Sequence, residues 1–161
     1  MRRVVRMAPM VGNNDTSALL ADLDMARRTL MTTETVSAVL VKDARILSMT
    51  MGQGVQPLID LLHRAGETAR GAALGDKIVG LAPAWLAIAH GIGAVFARTV
   101  SRPARELLEK HHVPLQFLDE VPWILSAGRK TLCPLEEALR SAGSLEEAVT
   151  VLRNHPLVSL P

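Results

Sequence analysis

The chain has 161 residues, 48% hydrophobic and 21% charged, enough to bury the core of one compact domain and a crowded fit for two. Eighteen Lys and Arg against sixteen Asp and Glu give a net charge of +2, with two Phe, two Trp and no Tyr, so the chain lacks both the basic footprint and the stacking platforms of a nucleic-acid binder. The single cysteine rules out a disulfide framework within the chain and a multi-cysteine zinc cage, and implies a reducing, cytoplasmic setting.

Residues 1–13 read as a flexible tail ahead of one domain over 14–161. Arg6 interrupts the apolar run that a secretory signal would need. Asn14, Asp15 and Thr16 are capping candidates for a helix carrying Leu19, Leu20, Leu23, Ala26 and Leu30, which should run to about Met31. Thr35 to Val41 and Arg45 to Met51, joined by Lys42-Asp43-Ala44, read as a hairpin. The first hairpin strand is a candidate sheet edge, and Met49 and Met51 belong to a core or an interface. A helix over Val55 to Ala65 follows, with Pro57 in its first turn and Gly66 as its stop.

Beyond Gly66 strands and helices alternate. A strand is predicted over Gly71 to Gly75, a helix opening at Asp76 and running to about His90, and a strand over Gly93 to Thr99. A helix from Ser101 to His112 and a strand over Val113 to Leu118 complete the alternation. The charge-free stretch from Ile78 to Ala97 is long enough to span a bilayer. Its glycines and Pro83 split it into a helix and a strand-like run, so a buried helix on a parallel strand is the better reading, with no membrane partner. Val121 to Leu125 and Arg129 to Leu132 read as irregular, Cys133-Pro134-Leu135-Glu136 opens another helix, and Ser144-Leu145-Glu146-Glu147 is a capping box for a last one. The order predicts an α/β three-layer α/β/α sandwich with a mixed sheet, a hairpin on one side and parallel crossovers on the other.

This order, with Asp76-Lys77-Ile78-Val79-Gly80, Val95-Phe96-Ala97, Ser101-Arg102-Pro103-Ala104 and Cys133-Pro134-Leu135-Glu136 in sequence, resembles the prokaryotic domain-of-unknown-function family eighteen-ninety-three, of the cytidine deaminase-like superfamily. The resemblance covers about Val36 to Leu139. It implies a deaminase-like fold with no established activity. Deaminases of the superfamily set a His or Cys and a Glu at the helix after the third strand, and a Pro-Cys-x-x-Cys at the next, to hold zinc and move protons. Here Gly75-Asp76-Lys77 is matched to the first place, and at the second Pro103 is followed by Ala104 and Leu107. With no thiolate or imidazole at either, zinc-dependent deamination is not expected, and neither a metal nor another cofactor is assigned.

Helices that follow parallel strands open at the carboxyl edge of the sheet, where such folds bind ligands. Asp76 is there either a general base or a helix cap. Lys77, a cation in a helix's first turn, opposes the dipole and so points to a bound anion or to an ion pair. Ser101 is a cap or a ligand donor. Cys133 is a thiol activated by a helix N-terminus or a small buried cap, and Glu136 a ligand contact or an ordinary first-turn acid. His63, His90, His111 and His112 lack metal-binding spacing. These residues suggest a small anionic or nucleotide-like ligand bound near Asp76, Lys77, Ser101, Cys133 and Glu136. A thiol enzyme with Cys133 and Asp76 as catalytic residues, and an oligomeric or partner-binding protein with a vestigial site, are the alternatives.

Overall fold

The structure, a computed structural model, describes residues 13–126, 128 and 130–161, with side chains from residue 16 onward. The predicted tail lies outside these residues except for Asn13, which is already helical, and the side chains of Asn14 and Asp15 lie outside them too. Helix α1 (Asn13–Thr32) leads into strands β1 (Val36–Lys42) and β2 (Arg45–Met51), which pair antiparallel. The hairpin turn, Asp43-Ala44, has φ of +52° and +60°, the left-handed pair of a type I′ turn that Asn-Gly usually supplies. Two residues with side chains hold this geometry because the buried Asp22 carboxylate of α1 accepts from both turn N–H groups, Asp43 at 3.0 Å and Ala44 at 2.8 Å.

Helix α2 (Gln56–Ala65) carries Pro57 in its first turn and ends at Gly66, whose φ is +54°. A single 3-10 turn, Gly66–Ala69, precedes β3 (Ala73–Val79). Then come α3 (Leu81–Ala89), β4 (Ala94–Ser101), α4 (Arg102–Lys110) and β5 (Leu115–Val121). Two short helices close the chain, α5 (Pro134–Leu139) and α6 (Leu145–Asn154). Ser144 Oγ accepts from Glu147 N at 3.2 Å, as its capping box predicts, although Glu147 reaches back to Gly143 N rather than to Ser144 N.

The sheet order is β2-β1-β3-β4-β5, with β1 antiparallel to both neighbours and β3, β4 and β5 parallel. On one face Leu23, Ala26 and Leu30 of α1 pack with Val39, Val41 and Phe96. On the other, Leu58, Leu62, Trp85, Leu108, Leu139 and Leu152 of the remaining helices meet Leu40, Leu74 and Val95. Helices on both faces of a mixed sheet make the predicted α/β/α sandwich. Ile78 to Ala97 is divided among the end of β3, α3 and the start of β4. No helix among the described residues is long and apolar enough to cross a membrane.

Three expectations need correction. On the hairpin side the edge strand is β2, the second strand of the hairpin; β1 pairs with β3 and is buried inside the sheet. Met49 and Met51 accordingly lie exposed on β2 and belong to no core. The parallel strands also run further than predicted, because ladder bonds to neighbouring strands outweigh the local turn and cap preferences of single residues. In particular, Asp76 and Lys77 are strand residues, and the helix expected at Asp76 starts at Leu81. Pro83 marks that start: as the third helical residue it gives up an N–H that has no intrahelical partner.

The hairpin turn yields a stability prediction. Ala44→Gly should raise stability by about 1 kcal/mol by relieving a left-handed alanine, whereas Asp22→Ala should lower it by about 2 kcal/mol by orphaning two turn donors. Urea unfolding of both variants checks the pair of signs.

Candidate functional site

With the start of α3 moved, the polar residues separate into two groups. Asp76 lies mid-strand, paired with Ala38 of β1 and Ala97 of β4. Its carboxyl is buried and Oδ1 accepts from Ile78 N at 3.2 Å. Burial raises its pKa from 3.8 to about 7, against the opposing pull of the Ile78 and Lys77 backbone N–H groups. Lys77 Nζ donates to the carbonyl of Glu34 at the end of the α1–β1 connection. A lysine on a strand opposes no helix dipole, so the electrostatic argument for an anion beside it falls away.

The second group is the one that assembles. Ser101 ends β4 and caps α4, its Oγ accepting from Ala104 N at 3.3 Å. The same hydroxyl donates to Glu136 Oε1 at 2.7 Å, while Glu136 Oε2 accepts from Leu81 N, in the first turn of α3, at 3.1 Å. One buried carboxylate from α5 thus serves the starts of both helices that follow parallel strands. There the partial positive charge of each helix N-terminus favours an anion. Desolvation raises the Glu136 pKa, and the bonds from Ser101 and Leu81 pull it back. Gly80 leaves room for the carboxylate: its φ is an ordinary −94°, but a Cβ there would overlap Glu136 Oε2 and come within 2.9 Å of Ile124 Cγ1.

The superfamily signature would set its metal ligands at these two helix starts. The helix after β3 opens at Gly80-Leu81-Ala82 rather than at Asp76, and the next carries Pro103, Ala104 and Leu107. None of these side chains ligates a metal, and Glu136, whose two oxygens are already bonded, stands between them. The residues do not fit a zinc ion. Among the described residues no group of three His, Cys, Asp or Glu side chains is placed to hold a metal.

Next to Glu136 a cleft of about 470 Å³ opens at the carboxyl ends of β3, β4 and β5, lined by Ile78, Thr99, Val121, Trp123, Ile124 and Leu125. The Arg140 guanidinium sits over the Trp123 ring, 4.4 Å from its centroid. Sequence reasoning passed over this wall as irregular chain, although an exposed Trp in so aromatic-poor a sequence was a usable signal. Cys133, half-buried at the N-cap of α5, donates its backbone N–H to Ile124 O at 2.9 Å and so fastens the wall. Its thiol bonds to no described side chain and is not brought to Asp76 by any hydrogen bond. Arg105 pairs with Glu109 and Glu120, and Arg102 with Glu120, a solvated ion network on α4.

Two predictions follow from these carboxyls. Because Asp76 holds its proton more tightly folded than unfolded, its contribution to stability declines as pH rises from about 4 through about 7; Asp76→Asn should flatten that decline and exceed the parent chain in stability at alkaline pH, as pH-dependent unfolding would reveal. Gly80→Ala should cost about 1–3 kcal/mol by forcing Glu136 and Ile124 to move, with Ser101→Ala milder because Leu81 N still holds the carboxylate.

No curated protein matches the sequence. Among solved structures, a DUF1893 family protein (TM1506) from Thermotoga maritima superposes with a TM-score of 0.74 at 19% identity, covering 93% of this chain and 95% of that one. RibD from Acinetobacter baumannii aligns at a TM-score of 0.45 and 18% identity over 64% of this chain and 34% of its own. The apo dCMP deaminase of cyanophage S-TIM5 gives 0.43 and 12% over 70% of this chain and 100% of its own. The family model TM1506, Domain of unknown function (DUF1893), matches residues 26–155, and the chain therefore belongs to the DUF1893 family.

Proposed function

We propose that this chain is a zinc-free deaminase-like binding domain that takes a small, ring-bearing, nucleotide-like ligand in the cleft beside Glu136. The observation that carries the reading is the Glu136 carboxylate bonded to Ser101 Oγ and Leu81 N. It occupies the space between the two helix starts with an internal anion, so neither a catalytic metal nor an exogenous phosphate is needed there. The ligand seat therefore shifts from Lys77 and Ser101 to the neighbouring cleft, whose lining is mostly apolar. Pockets of that kind hold a ring by burial and a few polar groups. Trp123 offers a stacking surface, and the Arg140 cation beside it offers a charge for an anionic substituent. The absence of a base bonded to Cys133 favours binding over thiol chemistry.

Of the two tryptophans, Trp85 is buried and Trp123 borders the cleft, so intrinsic fluorescence reports on the site. Titration with pyrimidine and purine nucleoside monophosphates should quench or shift the emission saturably, more tightly than the matching nucleosides. Trp123→Phe should abolish the change, and Arg140→Gln should erase the preference for the phosphate. Emission that stays flat for every nucleotide at about 1 mM, a concentration that detects even weak sites, would overturn the reading, as would ammonia release that depends on added zinc.

A further inference from the structure

The β2 edge of the sheet has features that the cleft does not use. Ile46, Met49 and Met51 of β2 stand opposite Val41, Val39 and Val36 of β1, whose side chains lie in the core beneath α1. The three β2 side chains therefore point to the same face of the sheet. Helix α1 packs on β1, β3 and β4 and stops short of β2, leaving Ile46, Met49 and Met51 exposed by 43%, 48% and 65%. The strand's outer backbone groups have no neighbouring strand in the sheet. Soluble proteins usually blunt such an edge with lysine, proline or a covering segment. Here β2 contains neither lysine nor proline, and its one charge, Arg45, stands at the turn end.

We propose that this edge is a homodimer interface, in which β2 pairs antiparallel with β2 of a second copy about a two-fold axis near Ser48. Charge placement selects a second copy as the occupant. Arg45 is exposed at one end of the strand; Glu34 is exposed just before β1, beside the Met51 end, because Val36 is the partner of Met51. Neither side chain has an ion-pair partner among the described residues. Antiparallel self-pairing brings each Arg45 to the Met51 end of the other copy, within reach of that copy's Glu34. The two-fold makes the contact twice. It also places Arg45 at the Met51 end of the other copy rather than against the other Arg45, and extends the sheet from five strands to ten across the dimer.

Sedimentation velocity on the full chain over the micromolar range tests this. A reversible dimer is expected, with Arg45→Glu and Glu34→Arg each weakening it at least about tenfold, a loss of one interfacial ion pair per half-site. The double swap Arg45→Glu/Glu34→Arg should restore it. Met49→Lys should give a monomer whose circular dichroism matches the parent chain, since the side chain is exposed. The proposal is overturned by a parent chain that stays monomeric, by one that dimerises only after residues 1–12 are removed, or by a dimer indifferent to Met49→Lys and to both charge reversals.

Discussion

A single buried carboxylate ties together the carboxyl edge of this sheet. Taking Glu136 out of water costs several kcal/mol, and the cost is offset only because two helix N-termini and a serine hydroxyl converge on it. The geometry runs in both directions. Glu136 fixes where α3 and α4 begin relative to α5, and α5 in turn fixes Cys133, whose N–H holds Ile124 and with it the wall of the cleft. Gly80 belongs to the same unit, for it is the space its missing side chain leaves that admits the carboxylate and Ile124 together.

In the deaminase signature a metal and its ligands draw the two helix starts together. Here an internal anion joins the same two starts. A carboxylate at that place supplies neither a Lewis acid nor an activated water. What remains chemically distinctive is then the apolar cleft next to it, where the one exposed tryptophan and Arg140 meet. At the opposite side of the sheet, β2 offers a backbone edge and an uncovered apolar row, so the proposed ligand site and the proposed dimer contact are separated by the interior strands β1 and β3.

Much of the fold was readable because it depends on local signals. The hairpin, the Pro57 start and Gly66 stop of α2, the Ser101 cap and the Ser144 cap each follow from residues adjacent in sequence. The errors arose where a distant partner decided the outcome. Asp76 resembles a helix cap, yet strands on both sides extend β3 through it; the cue that should have outweighed it was Gly80 followed by Pro83. The interior place of β1 depends on its pairing with β3, which no local pattern announces. At the site, Ser101 and Glu136 were both singled out, but their bond across thirty-five residues is a tertiary fact. Trp123 was missed because its segment has no periodicity to attract notice.

The central claim, that Glu136 takes the place of a metal between the two helix starts, is most directly tested by thermal unfolding of the metal-stripped chain with and without equimolar zinc. A metal bound to the native state raises Tm by mass action. The proposed site predicts coincident unfolding curves and no bound zinc after dialysis. A rise in Tm that saturates at one zinc per chain would contradict it.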